Sequence, residues 1–234
     1  MIAVTFALPA ESSGFLRLLQ SKSKRRNNGI TTIAGKIDNH VIEIFHTGVG
    51  GKACRQRMAR FLQDRQLDCL ISAGFAGALN DQLRVGDLLL AKNFSTADLN
   101  GTLDSLANLP IHIANLLTVP SMIDSSEERN RIAQTTGAVA VDMETEFIAR
   151  SCAEHGVPLL SLRVISDTPA RPLPMPPSVL FDLEKQRTKF GRLAFYVAKN
   201  PPAIWRLISF ARRIGRARER LSNAILALVR ELRP

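Results

Sequence analysis

Three carboxylates stand where apolar runs give out, the place where a side chain can do chemistry. Glu11 follows the run Met1–Leu8, Glu144 closes Ala140-Val141-Asp142-Met143-Glu144, and Asp167 closes Val164-Ile165-Ser166-Asp167. Ligands of α/β folds bind beyond the carboxyl ends of strands. A carboxyl group there can hold or take a proton, or face a positive charge that develops in a substrate. Two glycine-containing stretches, Thr47-Gly48-Val49-Gly50-Gly51 and Ala73-Gly74-Phe75-Ala76-Gly77-Ala78, also follow apolar runs. They read as turns whose backbone N–H groups face a sugar or a phosphate. Neither has the spacing of a dinucleotide or ATP loop. Plainer readings stand beside these: tight turns for the glycines, an N-cap for Asp142, a helix-terminus charge for Glu144 and a solvated loop residue for Asp167.

The elements that must position these groups show in the hydrophobic pattern. Met1–Leu8 predicts a first strand rather than a leader, having no basic start and no small-residue cleavage site. Ala10–Gln20 predicts a helix, and the basic stretch Lys22–Gly29 a solvated loop. Ile30–Ile37 and His40–Phe45 alternate as paired strands around a turn at Asp38-Asn39. Further strands are expected over Leu67–Ser72, Val85–Ala91, Ala138–Val141 and Pro158–Ser166, and helices over Lys52–Gln63, Glu127–Thr136 and Glu144–His155, the last ended by Gly156. Lys92–Leu109 reads as loop. The alternation predicts one α/β domain over residues 1–168, a mixed, twisted central sheet flanked by helices.

Five prolines in Thr168–Pro177 predict a linker over 169–177, and residues 178–234 read as a basic amphipathic helical extension. Pro201-Pro202 suits a helix start. Ile204, Leu207, Ala211, Ile214, Leu221, Ile225, Leu228 and Leu232 then trace an apolar stripe that Arg218 interrupts. The net charge of +10 belongs to this region: residues 1–184 hold 18 Lys/Arg against 19 Asp/Glu, and residues 185–234 hold 13 against 2. No apolar run approaches the ~20 residues that span a bilayer. Cys54, Cys69 and Cys152 are widely spaced, and the four histidines are scattered without a CxxC or HExxH pattern, so neither a metal nor a cofactor is expected. Buried free thiols point to a reducing, cytoplasmic setting.

Taken together, the strand ending near Glu11, TGVGG, AGFAGAL before VGDLLL, AVDMET and RVISD occur in an order that resembles the purine nucleoside phosphorylase superfamily, above all its methylthioadenosine/S-adenosylhomocysteine nucleosidase branch. The resemblance implies cleavage of a purine N-glycosidic bond. It implies that Asp167 hydrogen-bonds the purine and helps protonate N7, with Ser166 orienting it. It implies that Glu144 holds the ribose hydroxyls with Met143 against the sugar, and that Glu11 positions water. Gly48, Gly74 and Phe75 complete the substrate-binding candidates. Between Ser72 and Phe75 the chain lacks the Arg and Ser that six-subunit bacterial phosphorylases place around phosphate, which leans towards water as nucleophile. Thr47, Gly48 and Lys52 keep an anion site, and so phosphate, open. Asp142 stands where the nucleosidases carry Glu.

A narrower resemblance rests on TTGAVAVDMET, RVISDTPARPLPMPP and the basic tail. These are similar to the hopanoid-biosynthesis-associated phosphorylases, which remove adenine from adenosylhopane. It implies a nucleoside with a large 5′ substituent. A helix carrying an apolar stripe and many arginines can lie on an anionic membrane surface, so residues 201–234 are expected to hold the protein at the inner face of the membrane or to pack on the protein itself. Nucleic acid is the weaker partner, since only Trp205 and Phe210 are placed to stack. Homo-oligomers are implied by the family. The alternatives are a general methylthioadenosine/S-adenosylhomocysteine nucleosidase, or a binding module that keeps the fold without the activity.

Overall fold

Alternation along the first strand sets the layering. In β1 (Ile2–Phe6), Ile2, Val4 and Phe6 join one core cluster and Ala3 another, on opposite faces of the sheet. Every residue of β1 is buried, because β4 (His40–His46) and β5 (Cys69–Ala78) flank it as parallel neighbours and both faces are covered. The computed structural model describes residues 1–97, 110–175, 181–182, 187–188, 199–200 and 203–232. Among them, ten strands make one mixed sheet, eight of them in the order β2–β3–β4–β1–β5–β10–β6–β7 and two branching from it. Here β2 is Gln20–Asn27, β3 Ile30–Ile37, β6 Leu88–Ala91, β7 Ile111–Ala114 and β10 Leu159–Asp167. The short strand β9 (Ala140–Asp142) runs antiparallel to the far end of β5 and parallel to β8 (Leu116–Thr118). A two-residue antiparallel pair, β11 (Phe181–Asp182) with β12 (Arg187–Thr188), stands apart from the sheet.

Helices α1 (Pro9–Leu18) and α5 (Ala203–Glu231) cover one face. Phe15 of α1, and Leu221, Ile225 and Leu228 of α5, pack there against Val4, Ile71 and Leu162. Helices α2 (Gly51–Leu62) and α4 (Thr145–Glu154) cover the other, where Cys54, Met58 and Phe61 meet Phe45, Ile148 and Cys152. Helix α3 (Ser126–Thr136) starts on a Ser125 cap that accepts from the Glu128 N–H and ends at Gly137 in the left-handed region, φ 69°.

Three expectations change. Lys22–Gly29 is not a loop: residues 20–27 form the fully exposed edge strand β2, joined to β3 by Asn28-Gly29 at φ 48° and 73°. Two successive positive φ values suit a tight hairpin, and the lysines and arginines of the edge discourage pairing with another chain. The stretch Gly74–Gly77 is not a turn, because β10 pairs alongside it and β5 continues to Ala78. Strands β7 and β8 are additions, their short apolar runs being too brief to carry a period.

The division at residue 168 also fails as a boundary. Ala217, Leu221, Ala224, Ile225, Leu228 and Val229 lie in the same cluster as β1, β5 and β10, so the second half of α5 completes the core beneath the sheet. Gly14 permits the crossing, since a Cβ there would lie 2.5 Å from the Ser222 hydroxyl, and Arg218 donates to the Ser13 hydroxyl at 3.0 Å. The first half of α5 stays outside, with Ile204, Trp205 and Ile208 exposed. Of the Pro-rich stretch, Thr168 and Arg171 bridge and Met175 is buried, while residues 176–177 lie outside the described part. Of the loop expected over Lys92–Leu109, residues 98–109 lie outside it as well.

This packing separates the two halves of α5 in an equilibrium experiment. Leu228→Ala should lose about 2–5 kcal/mol of unfolding free energy in urea, as full burial dictates, and Ile208→Ala less than about 1 kcal/mol. Equal losses would mean that the exposed half is packed as well.

Candidate active site

Pro9 at the first helical position and Leu8 in extended backbone start α1, which brings Glu11 to its third position. The Glu11 carboxylate turns back and accepts from the Leu8 N–H at 3.0 Å, so the residue that caps the helix also points at the end of β1. Burial pushes its pKa up, opposed by the Leu8 hydrogen bond and the attraction of Arg163.

Glu144 arrives from the other side of the sheet, at the start of α4. Its Oε1 accepts from the Gly50 N–H at 2.7 Å. Gly48 and Gly50 at φ 75° and 85° shape this loop, and Gly51 lets α2 approach Phe147, where a Cβ would lie 2.5 Å from the ring. Three of the loop's N–H groups are spent on the protein. That of Thr47 donates to Phe6 O at 2.9 Å, that of Gly48 to Ala7 O at 3.0 Å, and that of Gly50 to Glu144. These three hold strands and a carboxylate rather than standing ready for a sugar or phosphate, which corrects the turn reading. Glu144 has its pKa raised to about 8 by burial and by the charge of Asp142, with the Gly50 hydrogen bond opposing.

One pocket is lined by Glu11, Glu144, Thr47, Gly74, Phe75 and Arg163 among others, so five of the residues singled out by sequence share a wall. Gly48 lies just outside, in an adjoining cavity of about 310 Å³ bordered by Leu8, Pro9, Ile30, His46 and Arg57. His46 hydrogen-bonds Ser12 at 2.8 Å, and burial together with Arg57 pushes its pKa down to about 4. Met143 is buried but does not line the Glu11–Glu144 pocket.

Asp167 stands further along the same sheet end, beside Gly77 of β5, three residues and roughly 10 Å of strand beyond Gly74. Its Oδ1 accepts from the Ser166 hydroxyl at 2.6 Å. Its Oδ2 accepts from Arg129 at 2.5 Å, in an ion pair buried on both sides. Among the described residues there is no cluster of His, Cys, Asp and Glu suited to a metal, and the three cysteines are free and buried.

Two arginines that matter here were given no role in the sequence reading. Arg163 sits inside β10 and pairs with Asp142 at 3.0 Å, while donating to Ser72 and to the Thr145 hydroxyl. Asp142 accepts as well from the Thr145 N–H, although the N-cap residue of α4 is Glu144 and not Asp142. An arginine inside the apolar run Pro158–Ser166 was itself the signal, since a buried strand holds one only against a carboxylate. Arg129 shares a helix face with Ile132 and Ala133 at spacings of three and four, which turns it inward.

A parallel-centred sheet covered on both faces, with buried carboxylates gathered at one end of its strands, defines a class that the comparisons identify. The chain belongs to the phosphorylase superfamily, whose family model matches residues 1–105 and 97–199. Within it the chain is similar to 5′-methylthioadenosine/S-adenosylhomocysteine nucleosidases. That of Staphylococcus epidermidis is 24% identical over 196 residues, covering 71% of this chain and 86% of the relative. That of Haemophilus influenzae is 24% identical over 195 residues, covering 71% and 85%. Solved structures share the fold: the Streptococcus pneumoniae nucleosidase with a transition-state inhibitor has a TM-score of 0.72 at 20% identity, covering 99% of both chains. Futalosine hydrolase of Helicobacter pylori has a TM-score of 0.74 at 17% identity, covering 99% of this chain and 97% of that one.

The raised pKa of Glu144 has a signed consequence for stability. Its folded value of about 8 exceeds the ordinary 4.5, so the folded protein holds this proton more tightly than the unfolded chain. The stabilisation is complete below pH 4.5 and is lost as pH rises through 8. The melting temperature of Glu144→Gln should therefore gain on the wild type between pH 5 and pH 9. A constant difference across that range would place the carboxyl in an ordinary solvated setting.

Proposed function

We propose that the protein cleaves the N-glycosidic bond of a 5′-substituted adenosine by hydrolysis, releasing adenine. The observation that carries the reading is the gathering of Glu11 and Glu144 in one pocket with Asp167 beyond them at the same end of the sheet. The names of its nucleosidase relatives support it. In this reading Glu144 binds the ribose hydroxyls and faces the positive charge that grows on the sugar as the bond breaks. Asp167 lies against the purine and accepts from N7 once solvent has delivered a proton there, so that adenine departs neutral. Glu11 takes a proton from water as the oxygen attaches to the sugar carbon and the C–N electrons pass to the base. A buried carboxylate with a raised pKa is a stronger base, which suits Glu11 to that task. The occupied N–H groups of Thr47 and Gly48 favour water over phosphate as nucleophile.

For the 5′ group we propose a large apolar substituent, as on adenosylhopane. The resemblance of the VDME motif and the proline-rich stretch supports this, as does the cavity beside Gly48, which offers Leu8, Pro9 and Ile30 beyond the ribose position. The first half of α5 gives such a substrate a reason to be reached at a membrane. Trp205 is 74% exposed, Ile204 and Ile208 flank it, and Arg206, Arg212 and Arg216 are exposed on the same stretch. We propose that this half lies on anionic lipid. No helix among the described residues is long and apolar enough to cross a membrane.

Adenine should appear from methylthioadenosine or adenosylhopane in phosphate-free buffer, with free sugar as co-product. Strict dependence on phosphate, with a sugar 1-phosphate, would overturn hydrolysis. Asp167→Asn and Glu144→Gln should each lower kcat/KM by about 10²–10⁴-fold while remaining folded; wild-type turnover in either would remove that residue from the chemistry. Trp205→Glu with Arg212→Glu should weaken binding to anionic vesicles and spare methylthioadenosine cleavage. Unchanged vesicle binding would end the membrane reading.

A further inference from the structure

Arg129 makes four hydrogen bonds near the candidate site, and its donors are divided unequally. Nε and Nη2 donate to Ile123 O at 3.0 and 2.8 Å, and Nη1 donates to Ala78 O at 2.9 Å. These backbone acceptors on two segments fix the guanidinium whatever Asp167 does. Nη2 then makes the 2.5 Å contact with Asp167 Oδ2, while Ser166 donates to Oδ1. Gly77 leaves space for the pair: a Cβ there would lie 3.2 Å from Asp167 Oδ2 and 3.5 Å from Arg129 Nη1. A staple for α3 alone needs only the carbonyl bonds. The fourth contact commits an arginine to the carboxylate expected to face the base, and a buried ion pair of this kind is retained only where its geometry is good.

We propose that Arg129 is a positioning residue that makes Asp167 a hydrogen-bond acceptor and thereby selects a purine presenting N–H groups along its N7 and C6 edge, a 6-aminopurine over a 6-oxopurine. The inference rests on the glycosidic reading above. With one oxygen fixed by a guanidinium and the other by a hydroxyl, the remaining lone pairs of Asp167 can only receive. A 6-amino group and a protonated N7 both donate to them. A 6-oxo group points a carbonyl oxygen at the same carboxylate, acceptor against acceptor, with no proton between them. Sites built to pair one polar group reject the analogue that lacks it far more strongly than apolar pockets do.

The test compares kcat/KM for 5′-methylthioadenosine and 5′-methylthioinosine, which share the sugar and the 5′ group. The wild type should prefer the 6-amino substrate by at least about 100-fold. Arg129→Met should lower that ratio by at least about 10-fold, through loss on the 6-amino substrate, and Arg129→Lys should restore most of it. A purely structural arginine would depress both substrates together and leave the ratio alone. A wild-type ratio near one overturns the proposal without any variant, so a misfolded Arg129→Met does not protect it. An unchanged ratio in folded Arg129→Met overturns it while leaving adenine release intact. Release of base from neither nucleoside would instead bring down the glycosidic reading, and this proposal with it.

Discussion

The guanidinium of Arg163 is the tie on which the end of the sheet depends. It is buried within β10, pairs with Asp142 of β9, and reaches the carbonyl and hydroxyl of Ser72 on β5 and the Thr145 hydroxyl at the start of α4. Glu11 and Glu144 line the same pocket and feel its charge. Without that positive centre, three carboxylates would be crowded into a desolvated space with nothing to offset them. Two strands and a helix start thus take their mutual position from one side chain, and the pocket inherits it.

The backbone of the TGVGG loop completes this arrangement from the opposite side. Its positive-φ glycines let the N–H groups of Thr47, Gly48 and Gly50 reach Phe6, Ala7 and Glu144 in turn. The loop extends the join between β1 and β4 and then holds the carboxylate that came from β9 and α4. Glycine there serves geometry within the protein: a side chain at Gly51 would collide with Phe147 and push α2 away from α4.

Much of this was legible in the residues. The alternating and continuous apolar runs located β1, β3, β4, β5 and β10, and carboxylates at the ends of such runs pointed to Glu11, Glu144 and Asp167. Periodicity cannot say what lies beside a strand, and there the reading fell short. Lys22–Asn27 carries no apolar residue, yet it forms β2 because β3 offers a free edge. The stretch Ala73–Ala78 looked like a turn because glycine usually marks one, whereas here missing side chains make room for Asp167 and Arg129. Arg129 and Arg163 were visible as charges, but their partners lie 38 and 21 positions away. The tail shows the same limit: one stripe runs through α5, and only the sheet decides which half of it is buried.

That division of α5 bears on how the protein is made. Every strand of the main sheet precedes α5 in the chain, and one face of β1, β5 and β10 is covered by its second half. During synthesis the sheet can assemble its strands while that face, with Ile2, Val4, Ile71 and Leu162, still looks into solvent. The nascent protein must wait for residues 217–229 to leave the ribosome before the apolar surface closes. Folding is therefore completed from the far end, and the interval before it is the time in which the chain is most open to aggregation and to chaperones.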